Sequence, residues 1–162
     1  MSVALRYLGV FALACLVVAL PQVECRCPAG ATNWIEKNST CYNFIRKEET
    51  WDQARLQCAF ESANADLVML KTADELTYVH TLVHAGIVIG CGKKYWIGLN
   101  DRELEGEFKW VDGTTAGYTN WARFEPNNAF REDCTEMGYE DAQWNDEDCG
   151  RKRCFVCAVT SD

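Results

Sequence analysis

Ten cysteines in 162 residues constrain this chain more than any other feature. That density belongs to a secreted domain stapled by disulfides, not to a reduced intracellular protein. The N-terminus agrees. Met1 to Arg6 carries one positive charge, Leu8 to Leu20 is an unbroken run of 13 apolar or small residues, and Pro21 ends it. This is the layout of a secretory signal peptide. As a helix the run would be about 20 Å long, short of the ~30 Å hydrocarbon core, so a membrane anchor is the weaker reading. No later segment is apolar enough to span a membrane. We therefore divide the chain into a signal peptide over 1–25 and one domain over 26–162, with cleavage after Ala19 or after Cys25. Cys15 is lost either way. Without Cys25 eight cysteines remain; with it there are nine, and the leftover thiol could link two subunits. A zinc site on Cys149, Cys154 and Cys157 is disfavoured by the oxidising compartment and by the lack of a nearby His.

The mature length suits one core. Thr50 with Gln53 forms a capping box, predicting a helix from Trp51 to about Glu61 with Trp51, Ala54 and Cys58 on its inner face. Thr72 with Glu75 forms a second, followed by an apolar stripe of Leu76, Val79, Leu82 and Val83 at helical spacing. His80 and His84 stand four apart on that helix. They lack a third ligand and the Glu of a zinc-protease motif, so they read as a solvated face. Tyr95–Leu99, Glu107–Val111 and Phe155–Val159 read as strands. From about Asp112 to Ala142 runs a long stretch rich in Gly, Asn, Asp and Glu. Loops of this length are functional or disordered. Order is favoured by the aromatics Tyr118, Trp121 and Phe124, by the flanking cysteines and by carboxylates that a cation could clamp. The class is α+β, with no repeat, coiled coil or linker.

The formal net charge of −8 argues against nucleic acid and anionic membranes as partners. The acids are unevenly spread. Glu125, Glu132, Asp133, Glu136, Glu140, Asp141, Asp146, Glu147 and Asp148 crowd one stretch, and such crowding costs repulsion unless a cation neutralises it. Calcium takes six to eight oxygens from carboxylates, amide and backbone carbonyls, and water. Glu125, Asn127, Asn128, Glu132 and Asp133 fall within nine positions, and Asn145 and Asp146 follow before Cys149. A cis Glu125–Pro126 bond, an isomer affordable only at proline, would turn the carbonyls of Glu125 and Asn127 to one side.

These residues, in this order, resemble a C-type lectin-like domain of the mannose-binding kind. The resemblance covers nearly all of Cys27 to Val159. It is carried by Cys27-Pro28, Cys41-Tyr42, Trp51, Ala54 and Cys58, Ala65-Asp66-Leu67-Val68, Trp96-Ile97-Gly98-Leu99 and Glu105-Gly106 with Phe108 and Trp110. It continues through Asn120-Trp121, Glu125-Pro126-Asn127, Cys134, Trp144-Asn145-Asp146, Cys149 and Cys157. The resemblance implies two helices flanking small antiparallel sheets, with a long calcium-binding loop region. It implies a principal Ca2+ on Glu125, Asn127, Glu132, Asn145 and Asp146, which are also the sugar-binding residues. It implies an auxiliary Ca2+ on Asp101, Glu105, Asn128, Glu132 and Asp133. Solvated turn residues are the plainer reading of Asp101 and Glu105. The implied disulfides are Cys27–Cys41, Cys58–Cys157 and Cys134–Cys149. Cys91 and Cys154 depart from the usual pattern and are expected to pair with each other.

Members with Glu-Pro-Asn favour mannose, N-acetylglucosamine, glucose and fucose, whereas Gln-Pro-Asp favours galactose. The expectation is a secreted, calcium-dependent lectin for mannose, N-acetylglucosamine or fucose glycans, suited to recognising microbial surfaces. Phe130 either packs back or stacks on a sugar, with Arg131 reaching acidic glycans. Asn38-Ser39-Thr40 is a glycosylation sequon. A single shallow site would need several copies for avidity, hence a homo-oligomer, disulfide-linked if Cys25 is retained. The rival readings are a family member that binds a protein, ice, mineral or receptor surface, and a glycosidase using two of the clustered carboxylates.

Overall fold

A computed structural model describes residues 27–28, 33–84, 91–138 and 140–160. The signal peptide over 1–25, and Cys25 with it, lie outside the described residues. The order of elements is β1 (Trp34–Lys37), β2 (Thr40–Glu49), α1 (Trp51–Glu61), β3 (Asp66–Leu67), α2 (Ala73–Leu82), β4 (Lys94–Asn100), β5 (Lys109–Trp110), β6 (Cys134–Gly138), β7 (Trp144–Glu147) and β8 (Arg153–Thr160).

Both helices start where their caps require. The Thr50 hydroxyl accepts the Gln53 N–H and the Thr72 hydroxyl accepts that of Glu75, each satisfying a first-turn donor that has no partner within the helix. Helix α1 buries Trp51, Ala54 and Cys58, and α2 buries Leu76 and Val79, the spacings that place side chains on one face. His80 of α2 and His84, two residues past its end, meet edge-on, ring centres 4.3 Å apart.

The strands form one eight-stranded sheet whose main path is β1-β2-β8-β4-β6-β7, with β3 on β8 and β5 on β4. The expected antiparallel pairing holds except at its centre, where β4 and β8 run parallel through Tyr95↔Cys154 and Trp96↔Phe155. Parallel neighbours need a long crossover, and the whole loop region with β6 and β7 provides it. The strand expected over Glu107–Val111 shortens to Lys109–Trp110. The expected loop from Asp112 to Ala142 contains a strand: β6 pairs antiparallel with β7 and with β4. Its residues are all buried, so the alternation that marks a half-buried strand is missing from the sequence.

Two cores lie against the sheet. One gathers Val68, Leu70, Leu76, Val79, Tyr95, Ile97, Leu99, Trp110 and Trp144; the other gathers Trp51, Cys58, Leu67, Trp96, Phe155 and Cys157. Gly98 lies where backbones meet: an added Cβ would come within 2.7 Å of the Leu67 carbonyl oxygen. Four disulfides close, Cys27–Cys41, Cys58–Cys157, Cys91–Cys154 and Cys134–Cys149. Cys91–Cys154 fastens the chain entering β4 to the parallel strand beside it. Cys134–Cys149 closes the β6–β7 hairpin. No described helix is long and apolar enough to cross a membrane.

Candidate functional site

The β6–β7 hairpin sets the geometry. Its register places Thr135 opposite Asp146 and Glu136 opposite Asn145. Asp146 is 1% exposed, so its charge must be met locally. It accepts the backbone N–H of Asn127 at 3.1 and 3.0 Å and that of Asn128 at 2.7 Å. The loop that follows the cis Glu125–Pro126 peptide is thereby hung on β7. The Asn127 side-chain NH2 donates to Glu125, and the Asn127 carbonyl oxygen accepts the Ala129 N–H at 2.8 Å. Glu132 accepts that same Ala129 N–H at 3.0 Å, and its own N–H returns to the Asn128 carbonyl oxygen at 3.0 Å. Asn145 donates to Glu136 at 3.1 Å and to the Asp146 backbone carbonyl at 2.6 Å.

The five residues expected to hold the principal cation thus gather around one loop and one strand. Their carboxylates carry the strain of that gathering. Burial raises the pKa of Glu125, and the neighbouring Asp146 raises it further. Burial raises that of Glu132 as well, helped by Asp146, Glu147 and Glu125. Each of these carboxylates accepts an N–H, Glu125 from the Asn127 amide and Glu132 from Ala129. Among the described residues no three His, Cys, Asp or Glu side chains converge as a ready-made metal group. The five residues can offer carboxylate and amide oxygens, the donor type that calcium takes.

The auxiliary residues divide. Pairing of Asn100 with Cys134 brings Asp101 beside Asp133, whose carbonyl accepts the Asp101 N–H at 3.2 Å. Asp101 is 3% exposed; one carboxylate oxygen accepts the Gly106 N–H at 2.8 Å, and the other is buried without a partner. Burial, with Glu105 and Asp133 nearby, pushes its carboxyl up to about 6. Among the described residues this is the one buried carboxylate oxygen without a hydrogen-bond partner. It outweighs the plainer reading of Asp101 as a solvated turn residue. Asn128 and Glu132 are joined to each other by the 3.0 Å bond already described.

Glu136 escaped the sequence reading, which counted it only within the acidic run. It is 2% exposed, receives Arg153 at 2.7 Å and Lys94 at 3.3 Å, and holds the Asn145 amide. Arg153 also reaches Glu147 at 2.9 Å. A β6–β7 register assigned in advance would have placed Glu136 opposite Asn145. Of the aromatics expected to order the loop, Tyr118 and Trp121 pack edge-on against Trp144 at 5.9 and 5.8 Å. Phe124 does not; it is 79% exposed beneath the Arg123 guanidinium. Phe130 does not fold back either and is 97% exposed. Asn38 sits with Ser39 at the exposed tip of the β1–β2 hairpin.

The profile of the family described as Lectin C-type domain matches residues 47–159. The chain is 32% identical over 157 residues to an alpha-N-acetylgalactosamine-specific lectin of Patiria pectinifera, covering 93% of this chain and 90% of that one. Among solved structures it resembles the C-type lectin CEL-I from Cucumaria echinata, with a TM-score of 0.75 and 34% identity over 85% of this chain and 99% of that one. It also resembles a calcium-independent type II antifreeze protein, with a TM-score of 0.70 and 26% identity over 85% and 96%.

Proposed function

This chain belongs to the C-type lectin domain family, and from that premise we propose that it is a secreted, calcium-dependent lectin for mannose, N-acetylglucosamine or fucose glycans. The observation that carries the reading is the crowding of Glu125, Glu132 and buried Asp146, each met only by N–H donors and with two of the three pushed toward protonation. A bound cation would offset the repulsion of such an arrangement.

Glu125, Asn127, Glu132, Asn145 and Asp146 would hold the principal Ca2+, the Asp146 backbone carbonyl adding a further oxygen. Asp101, Glu105, Asn128, Glu132 and Asp133 would hold the auxiliary one, for which the unpartnered oxygen of Asp101 speaks. Calcium, when bound, supplies a centre to which neighbouring sugar hydroxyls coordinate directly. Glu125 and Glu132 accept hydrogen bonds from those hydroxyls, while the Asn127 and Asn145 NH2 groups donate to them. In the metal-free arrangement both amides are spent on neighbours, Asn127 on Glu125 and Asn145 on Glu136 and Asp146, so both must turn to serve a sugar. With a cation in place Glu125 and Glu132 stay ionised. Neither can then act as the proton donor that a glycosidase needs, and we read the protein as a non-enzyme. Asn38, exposed at its hairpin tip, is the proposed attachment point for a glycan. Cys25, where retained, would link two subunits.

The protein is expected to stay on mannose-agarose in calcium and to leave it in EDTA; retention in EDTA would sink the mechanism. Glu125→Gln with Asn127→Asp is expected to move preference toward galactose, which tests whether the Glu-Pro-Asn triplet sets the sugar. A glycan array blank both with and without calcium would instead favour a protein or mineral surface as the ligand.

A further inference from the structure

The loop from Asn128 to Glu132 is closed at its base by two reciprocal bonds, Glu132 N–H to Asn128 and Ala129 N–H to Glu132. Its tip is Phe130 and Arg131. Both hold left-handed backbone conformations, φ +67° each, which a bulky L-residue adopts at a cost. Glycine meets that demand at Gly106 and Gly113, φ +79° and +82°, and asparagine, which tolerates it, at Asn38, Asn64 and Asn128. At position 130 the chain places instead a phenylalanine that is 97% exposed and returns nothing to folding. Arg131 stands directly before two carboxylates, Glu132 and Asp133, yet makes no ion pair or hydrogen bond with any described residue, whereas Arg123 lies 4.6 Å over the ring of Phe124. The tip thus presents one open aromatic face and one uncommitted guanidinium, a single loop away from the proposed sugar ligands.

We infer that Phe130 and Arg131 form an extension of the site that takes the second residue of an anionic oligosaccharide, with the ring stacked on the sugar and the guanidinium on a phosphate or sulfate substituent. This rests on the sugar reading above. An exposed aromatic face suits the C–H face of a pyranose. A guanidinium fork matches tetrahedral anions.

The test is calorimetric titration in calcium with four probes: methyl α-mannoside, an α-linked mannobiose, and that disaccharide phosphorylated or sulfated on its second residue. Phe130→Gly is expected to leave methyl mannoside binding within twofold and to weaken mannobiose about three- to tenfold, with an unfolding midpoint unchanged or higher. A loss of stability together with loss of both sugars would mark a structural role and overturn the inference. Phe130→Trp is expected to keep the disaccharide affinity and Phe130→Leu to lose it. Arg131→Gln is expected to spare the neutral probes and to weaken the phosphorylated or sulfated one about tenfold; whichever anion binds wild type more tightly identifies the source. Equal affinity of wild type for all four probes defeats the proposal. If wild type binds methyl mannoside no better in calcium than in EDTA, the sugar reading has failed first, and this inference falls with it.

Discussion

The half of the molecule built on β1, β2, β8 and the two helices differs from the half between Asn100 and Glu147 in how its polar groups are met. In the first, charges find partners: Arg55 grips Asp66 through bonds of 2.6 to 3.1 Å, both helices are capped, and Trp51 and Trp96 donate to the carbonyls of Ile97 and Glu49. Trp34 Nε1 and Asn43 Oδ1 are buried there without partners; in the second, the same holds of Trp110 Nε1, Thr135 Oγ1, Trp144 Nε1 and a carboxylate oxygen, Asp101 Oδ1. Left-handed non-glycine residues also gather there, at Phe124, Asn128, Phe130, Arg131 and Ala142. Buried polar groups normally pair. Among the described residues only the second half combines an unpartnered carboxylate oxygen with carboxylates that crowd one another. The first half supplies the rigidity that lets the second remain under strain.

The largest effect expected lies in the first half. Trp96 is fully buried, packs with Phe155 and Trp51, and donates to Glu49 at 2.9 Å. Trp96→Ala should cost about 3–5 kcal/mol by cavity and lost contacts. The loss should be the same in urea titrations with calcium and with EDTA, because the residue belongs to the scaffold. A loss seen only with calcium would erase the distinction between the halves.

Next in size is the pH response of the calcium-free protein. Asp101 binds its proton more tightly folded, at about 6, than unfolded, near 3.8. Its contribution is therefore complete below about pH 4 and disappears as pH rises through 6, by at most about 3 kcal/mol. Glu125 and Glu132, raised in the same direction, add to that slope. In EDTA, stability should thus fall between pH 4 and 7, and Asp101→Asn should flatten the fall. Asp112 runs the other way. Burial pushes it up, but hydrogen bonds from Lys71 and Thr114 outweigh that and bring it to about 2, so its contribution is lost only as pH drops from about 4 through 2.

Glu132→Gln should weaken mannose retention in calcium by tenfold or more, about 1.4 kcal/mol. The same change should leave the EDTA unfolding midpoint equal or higher, because a neutral amide ends the repulsion from Asp146 and Glu147. A protein that loses binding while gaining stability is what a strained site predicts. Parallel losses would mean that Glu132 serves the fold.

Legibility in the sequence divides along the same boundary. Trp51–Glu61 and Thr72 as a cap could be read because caps and helical spacing act locally; the pairing of cysteines, up to 99 residues apart, rested on the family resemblance. Five of the candidate ligands, Glu125, Asn127, Asn128, Glu132 and Asp133, stood out because hard oxygen donors crowded within nine positions, whereas Asp101 and Glu105 entered only with the family resemblance. Strand β6 could not, since five consecutive buried residues, one of them Glu136, carry no alternation. The roles of Glu136 and Lys94 were hidden for the same reason: both depend on a register between β4, β6 and β7 that propensity does not encode. Phe124 looked like an anchor and is an exposed ring, because what decides burial is where a left-handed turn points it.

The smallest effect separates the halves most cleanly. Phe60 and Phe130 are both exposed, 85% and 97%, so neither contributes much through burial. They differ in backbone. Phe60 lies inside α1, where glycine loses conformational entropy and Phe→Gly should cost about 0.5 kcal/mol, the gap between their helix propensities. Phe130 sits at φ +67°, where glycine is the residue at ease and the same substitution relieves strain. Phe130→Gly should therefore be neutral or stabilising by up to about 1 kcal/mol. Denaturation midpoints of the two glycine variants in EDTA should move in opposite directions, or one should not move while the other falls. Equal losses would mean that the tip of the calcium loop is an ordinary surface turn, and the case for strain held in reserve there would go with it.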